Sequence, residues 1–263
     1  MKDIFPIKKK YLLLFILIPV LYLPAYISDD YLLILTQEDG LYENVGALLF
    51  FFTAIAFFVL TAKPYLFVKP DGTKTIQEKW FFLLFGLLFL FACGEEISWG
   101  QRILNFSTPE AMEETNMQGE FNIHNLEFFH GKNAEGEDKT GILALLEMHR
   151  LFYMTFFSYL LVFPLLYKKI LPFKKFIDKI YLPVPSVYLG ILFTFNLIYG
   201  HILKMLISNN NVDIGHSVVE IKETVFAIIL FMLPLSWMDY KSSKNPVQEG
   251  TPTGNSSVKN IIH

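Results

Sequence analysis

The sequence has very little cysteine: Cys93 is the only one in 263 residues. One thiol cannot form an intrachain disulfide, and it cannot supply a zinc site that needs two or more cysteines. The chain also has no Walker A loop, no GxSxG nucleophile elbow and no dinucleotide-binding fingerprint. It has no basic stripe with interleaved aromatics, and its formal net charge is -3. The sequence therefore predicts no nucleic-acid partner.

Apolar residues, by contrast, are abundant. They make up 53% of the chain, with 27 phenylalanines and a mean hydropathy of +0.40. A soluble domain does not need so much apolar surface, so the lipid bilayer is the expected solvent. Six apolar segments are long enough to span it, at about 11–28, 43–61, 80–99, 142–167, 185–206 and 215–237. We predict an all-α polytopic membrane helix bundle of about six transmembrane helices, with the first segment retained and not cleaved as a signal peptide.

Basic residues predict the orientation of these segments. Sixteen of the 22 lysines and arginines lie before the first segment, after the second, after the fourth and after the sixth. The positive-inside rule then places both termini in the cytoplasm and the site described below on the extracytoplasmic side of a bacterial plasma (inner) membrane. We predict one transmembrane domain over 1–240, with an outward-facing loop at 103–141. The polar residues 241–263 are predicted to be a disordered cytoplasmic tail.

Ionisable residues concentrate at the predicted outer ends of the segments. The third segment ends in Gly94–Arg102, where the adjacent carboxylates Glu95 and Glu96 follow a run of apolar residues. Charge near lipid is costly, so such groups are expected to face the bundle interior or to pair. The same topology brings further polar residues of the other segments and of the loop to this layer: Glu43, Asn44, His124, Glu147, His149, Arg150, His201, Lys204, His216, Glu220 and Glu223.

Three groups predict chemistry at this layer. Glu95 and Glu96, with His124, are candidate catalytic residues, because close carboxylates separate in pKa and suit proton transfer. His216 and Glu220 are one helical turn apart and, with Glu96, are candidate ligands for a divalent metal such as zinc, iron or manganese. The alternatives stay open: in the structural alternative, Glu95 and Glu96 serve only in ion pairs with Arg102 or Arg150. In the same alternative, the helix face that carries His216 pairs with Lys204 or Lys222, and His124 caps a helix end.

The remaining polar residues are predicted to bind substrate. Arg102, His149 and Arg150 suit an anionic headgroup or a structural ion pair. His201 suits a ligand contact or an interhelical hydrogen bond, and Glu223 lies on the same helical face as Glu220. A lipid or lipid-linked molecule is the expected substrate, since the site lies within the membrane region.

Several motifs resemble a family of uncharacterised bacterial multi-pass membrane proteins. The resemblance is carried by Glu38-Asp39-Gly40 with Glu43, Gly94-Glu95-Glu96-Ile97-Ser98-Trp99-Gly100-Gln101-Arg102, Thr108-Pro109-Glu110, the Gln118-Gly119-Glu120-x-Asn122-x-His124-Asn125 loop and Glu220-x-x-Glu223. It implies a membrane bundle with these residues at its site, and it implies no particular reaction. A looser resemblance is to ceramidase-type membrane hydrolases, whose zinc is held by histidines at helix ends. The present sequence lacks the His-x-x-x-His pair of such a site.

These patterns favour a metal-dependent hydrolase or transferase that acts on a lipid or lipid-linked substrate. Two other functions use the same residues. In a proton-coupled transporter or channel the acids would relay protons, and in a non-catalytic membrane scaffold or sensor the ion pairs would be structural. The apolar cytoplasmic halves of the segments argue against a polar path across the membrane.

Overall fold

The chain folds into helices joined by short connections and one long loop. The computed structural model describes residues 9–37, 39–62, 77–132, 137, 139–208 and 211–244, and this part of the chain contains no β-strand. The helices are α1 (Lys9–Leu21), α2 (Pro24–Ile27), α3 (Asp29–Thr36), α4 (Leu41–Ala62), α5 (Gln77–Glu96), α6 (Gln101–Leu104), α7 (Glu110–Glu113), α8 (Gly141–Leu145), α9 (Met148–Phe157), α10 (Phe163–Lys169), α11 (Leu171–Ile180), α12 (Val187–Ile207) and α13 (Val212–Lys244). The predicted all-α bundle is confirmed.

The apolar helices are consistent with a membrane protein. Three stretches of the described residues are long and apolar enough to cross a membrane: Asp29–Ala62, Met148–Lys169 and Val187–Ile207. A fourth is added if α5 and the following Ser98–Leu104, which are bent by 70° relative to each other, count as one span. The predicted number of six remains a prediction.

The helix boundaries differ from the apolar segments in several places. The first predicted segment breaks after Leu21, and α1 and α2 together replace it. Helices α3 and α11 are not among the predicted apolar segments. Helix α11 has ten residues, is amphipathic and carries basic residues on its polar side, so its overall hydropathy is low. At the other end, α13 continues to Lys244, so the first residues of the predicted tail are helical, and 245–263 lie outside the described residues. The basic segments 1–8 and 63–76, used above for orientation, lie outside them as well.

Aromatic side chains fill the centre of the bundle. Helix α4 packs against α5 and α13, and α12 packs against α13. Between α4 and α5, Phe57 stacks on Phe89 with ring centroids 5.7 Å apart. Between α12 and α13, Phe193 stacks on Phe226 at 4.1 Å. These four rings are almost fully buried, so the core is formed by large apolar surfaces that interdigitate.

One buried polar contact joins three helices across this core. The hydroxyl of Tyr22, just after α1, donates to Asn196 Oδ1 at 2.8 Å. Asn196 Nδ2 in turn donates to the backbone carbonyl of Lys222 in α13 at 2.9 Å. Tyr22 and Asn196 are fully buried, so leaving either without its partner would cost about 1–3 kcal/mol. The contact therefore fixes how α1, α12 and α13 align.

A second close contact depends on Gly190. The helix from α9 to α10 passes through a π-helical turn at Ser158–Val162. Pro164 follows this turn and has no N–H to donate to the carbonyl of Leu160, four residues earlier. That carbonyl faces α12, where a Cβ added at Gly190 would lie only 2.4 Å from the Leu160 oxygen. The absence of a side chain at Gly190 therefore allows the two backbones to approach each other.

We expect Gly190→Ala to lower the thermal stability of the detergent-solubilised protein. The added methyl group meets backbone atoms of Leu160 and Leu161, which cannot rotate away, and overpacking of this kind costs about 1–3 kcal/mol. Gly46→Ala is the matched control, because a Cβ there meets its neighbours only at 3.9 Å or more. A thermal melt monitored by thiol-reactive fluorescence or by light scattering would measure both. Equal melting temperatures for the two variants would contradict the proposed close approach.

Candidate functional site: an acidic pocket beside an anchored loop

The motif Gly94–Arg102 forms the end of α5 and a sharp turn after it. Ser98, Trp99 and Gly100 have φ values of 45°, 54° and 78°, which place three successive residues in the left-handed region. This region costs about 1–2 kcal/mol per residue for side chains other than glycine. The turn therefore needs specific contacts to hold it, and the rest of the motif supplies them.

The carboxylate of Glu95 supplies the first of these contacts. It is 5% exposed, and it accepts the indole N–H of Trp99 at 2.7 Å. Its other oxygen accepts the backbone N–H of Ile123 at 2.7 Å and that of His124 at 2.9 Å. The Trp99 ring packs closely against Gly94, because a Cβ added at Gly94 would lie only 3.0 Å from atoms of that ring. Glu95 thus joins the turn to the long loop.

The second half of the motif makes further contacts with the loop. Ser98 donates its hydroxyl to Glu120 and accepts Asn122 Nδ2 at 3.0 Å. Gln101 donates to the Thr108 hydroxyl and accepts the backbone N–H of Phe121, both at 2.8 Å. The two motifs singled out in the sequence, Gly94–Arg102 and Gln118–Asn125, are therefore one structural unit. We call residues 106–126 the anchored loop.

A pocket opens on the other side of the α5 end, between α4, α5 and α13. Its cavity volume is about 10 Å³, which is about the room that one water molecule needs. Four half-buried carboxylates line it: Glu43 from α4, Glu96 from α5, and Glu220 and Glu223 from α13. Its remaining lining residues are Tyr42, Gly46, Phe50 and Thr224. We call this space the acidic pocket.

The four carboxylates differ in their hydrogen bonds. Glu223 Oε1 lies 2.7 Å from His149 Nδ1 and accepts the hydroxyl of Tyr153 at 3.0 Å. Glu43 accepts the backbone N–H of Asp39 at 2.7 Å, at the start of α4, where a helix favours negative charge. Within the described residues, no side chain or backbone N–H donates to the carboxylates of Glu96 or Glu220. These two are therefore the groups in the pocket that are available to a ligand or a proton.

His124 lies in the anchored loop and interacts electrostatically with Glu96 and Glu223 of the acidic pocket. Its Nδ1 lies 3.4 Å from Glu95 Oε2, and its side chain is 27% exposed. Burial by itself lowers the pKa of His124. The hydrogen bond with Glu95 and the charges of Glu96, Glu95 and Glu223 act in the opposite direction and raise the pKa above its ordinary value. His124 therefore keeps its proton up to a higher pH than a free histidine does.

The other predicted site residues lie at several places. Arg102 pairs with Asp39 and with Glu120 of the anchored loop. Arg150 pairs with Glu147 at 2.6 Å and donates to the carbonyl of Ala144 at 3.0 Å. His201 and His216 are exposed on α12 and α13. The adjacent residues Glu95 and Glu96 face different surroundings, one the loop and the other the pocket.

The predicted metal ligands do not converge on one point. Glu96 and Glu220 line the acidic pocket, but His216 is not among its lining residues. Across the part of the chain that the structure describes, no group of three or more His, Cys, Asp or Glu side chains is arranged to hold a metal ion. The structure therefore does not bring Glu96, His216 and Glu220 together in one group, and the divalent metal remains a prediction.

Tyr153 contributes to the site through Glu223, although it is not among the site residues predicted from the sequence. Its hydroxyl contacts Glu223, and the ammonium group of Lys222 lies 4.4 Å from the centre of its ring. A signal was present in the sequence, because Tyr153 lies four residues after His149 and so shares its helix face. In the sequence, however, Tyr153 stands among several other aromatic residues of an apolar segment, which conceals its polar role.

We expect Glu95→Gln to release the anchored loop without unfolding the bundle. The amide has one acceptor oxygen where the carboxylate has two, and it loses charge-assisted hydrogen bonds worth about 1.5–3 kcal/mol each. Hydrogen–deuterium exchange should therefore speed up at the amides of Ile123 and His124, while the core of α4 and α13 stays protected.

Glu114→Gln serves as the control, because Glu114 is exposed at the end of α7 and takes no part in these contacts. Unchanged exchange at Ile123 and His124 in Glu95→Gln would show that Glu95 does not anchor the loop.

Comparisons with known proteins give no guide to the role of the site. No protein-family model, no curated protein and no solved structure matches this chain.

Proposed function

We propose that this chain is a membrane-embedded hydrolase or transferase that acts on a lipid or lipid-linked substrate at the acidic pocket. The observation that carries the proposal is the convergence of Glu43, Glu96, Glu220 and Glu223 from three helices on one pocket at one end of an apolar bundle. Mutual repulsion makes such a group of carboxylates destabilising unless a proton or a cation lies between them. A cluster that costs stability in this way is typical of a functional site.

The hydrogen bonds suggest separate roles for these carboxylates. Glu223 accepts from His149 and Tyr153, and this pair of donors favours a fixed, ionised acceptor. Glu96 and Glu220 accept no hydrogen bond from the described residues, so either can take up a proton or give one to a substrate. In this proposal they act as general base and general acid, a pairing that contributes about 10²–10⁴-fold to a reaction rate.

The nearby groups suggest how a substrate would be oriented. His149 lies at the exposed side of Glu223, with half of its side-chain surface accessible. His124 of the anchored loop keeps its proton to a higher pH than a free histidine and interacts electrostatically with Glu96 and Glu223. An anionic group of the substrate would be held by these histidines, while the reacting bond lies at the opening of the acidic pocket, against its carboxylates. The apolar surface of the bundle offers lipid substrates a route to the pocket without leaving the membrane.

We further propose the location expected from the basic residues: the bacterial plasma membrane, with the acidic pocket on its extracytoplasmic side. The transporter alternative is less favoured, because it requires a polar path beyond the pocket. Phe50 forms part of the pocket lining and contacts Phe89, which stacks on Phe57 in the apolar core. These aromatic rings separate the carboxylates from the opposite end of the bundle.

We expect Glu96→Gln and Glu220→Gln each to reduce product formation by about 100-fold or more, since each removes one of the two proton-transferring groups. The protein reconstituted in vesicles would be incubated with fractionated bacterial lipids and lipid-linked intermediates. Mass spectrometry would then identify substrates consumed and products formed.

Glu114→Gln is the matched control and should keep wild-type turnover, because it makes the same change on the exposed loop surface. All variants would first be compared by thermal melting, so that loss of fold is separated from loss of chemistry. Wild-type turnover by the Glu96→Gln, Glu220→Gln double variant would overturn the proposed roles.

A separate experiment addresses the predicted divalent metal. Because His216 is exposed and outside the pocket, we expect His216→Ala to leave both turnover and metal content unchanged. Elemental analysis of the purified wild-type protein and of this variant would measure zinc, iron and manganese. Stoichiometric metal in the wild type that is lost together with activity in His216→Ala would restore the predicted ligand set.

A further inference from the structure

The exposed apolar surface of α5 does not stop where the helix ends. Leu84, Leu87 and Phe91 project from α5 and are 58%, 51% and 41% exposed. Trp99 lies beyond the end of α5, but its ring packs back on Phe91 with centroids 5.5 Å apart and is itself partly exposed. The left-handed turn thus places the indole as a continuation of the apolar surface of α5.

Helix α6 extends this surface in a new direction. The segment Ser98–Leu104 is bent by 70° from α5, so it runs across the end of the bundle instead of away from it. Its polar residues Gln101 and Arg102 contact the anchored loop. Its last two residues, Ile103 and Leu104, are 77% and 72% exposed. A four-residue helix therefore has one side occupied by protein contacts and two large aliphatic side chains without cover.

Helix α8 is a second short helix with an exposed aliphatic side chain, and it lies at the start of another candidate span. Its sequence, Gly141–Leu145, has no charged residue, and Ile142 is 75% exposed. The guanidinium of Arg150 donates to the carbonyl of Ala144 and so ties α8 to the start of α9. Helix α8 is thereby held beside the start of the apolar helix Met148–Lys169.

We propose that α6 and α8 lie in the headgroup region of the bilayer, with Ile103, Leu104 and Ile142 inserted among the acyl chains. Two observations favour lipid as the occupant. The apolar surface is continuous with the exposed surface of a candidate span through Phe91 and Trp99, and tryptophan is typical of the membrane–water interface. The polar side of α6 is already occupied by the anchored loop, as in interfacial helices that bury one face in lipid.

The position of α6 also has a consequence for the substrate, and this consequence rests on the proposed function. Arg102 joins α6 to Glu120 of the anchored loop, and Glu95 joins the same loop to the α5 end beside Glu96. Seating α6 in the headgroup region would place the acidic pocket at the depth of lipid headgroups. A lipid-linked substrate could then present its polar group to the pocket while its chains stay in the bilayer.

The test is a depth measurement on the full-length protein. Cys93 is replaced by alanine, and single cysteines are introduced as Ile103→Cys, Leu104→Cys and Ile142→Cys, with Glu114→Cys as the aqueous control. Spin-labelled proteins are reconstituted in phosphatidylcholine vesicles, and power-saturation spectroscopy compares collision with oxygen and with a water-soluble nickel complex. The introduced cysteines all lie at exposed sites, and because Cys93 itself is buried, a thermal melt checks the fold of the Cys93→Ala background and of each variant.

We expect the three labels on α6 and α8 to collide more with oxygen than with the nickel complex, and Glu114→Cys to show the reverse. Nickel access at these positions equal to that at the control would overturn the proposal. Low access to both reagents, with dipolar broadening between labels, would overturn it in favour of a second copy of this chain. The readout does not depend on turnover, so failure of the proposed enzymatic activity would be seen separately in the vesicle assay.

Discussion

The carboxylate of Glu95 is the contact on which the polar end of this protein depends. It is buried at the end of an apolar helix, where an ionised group without donors would cost several kcal/mol. Its donors come from Trp99 in the turn and from the backbone of Ile123 and His124 in the loop. Satisfying Glu95 therefore requires the left-handed turn to form and the loop to fold back at the same time. This requirement couples a local backbone conformation to a tertiary contact.

The same constraint explains why two adjacent glutamates can serve different purposes. Consecutive residues project about 100° apart around an α-helix, so Glu95 and Glu96 cannot face the same surroundings. With Glu95 committed to the loop, Glu96 is directed into the bundle, where it meets Glu220 and Glu223 of α13. The loop contact thus orients the last turn of α5 and, with it, one wall of the acidic pocket.

Much of this arrangement could be predicted from residue spacing and from the cost of charge in lipid. Glu43, Glu96, Glu220 and Glu223 were expected in one layer because the apolar segments alternate in direction and each carboxylate lies near the same end. The helical spacing of Glu220 and Glu223 correctly placed both on the pocket side of α13. The same spacing also included His216, but His216 precedes Glu220 by one turn and lies on the exposed start of the helix. The spacing of residues along a helix predicts which of them share a face. It does not predict how far along the helix axis a pocket extends.

The sequence by itself determined the helical class, the approximate position of the apolar helices and the identity of the polar layer, because hydropathy and charge are local properties of the chain. Only the tertiary structure decided that Glu95 anchors a loop, that α6 turns by 70° and that Tyr153 supports Glu223. These features depend on groups that are distant in the sequence, such as Glu95 with His124 and Tyr153 with Glu223. Their hydrogen bonds form only when the packed helices bring the partners within about 3 Å of each other.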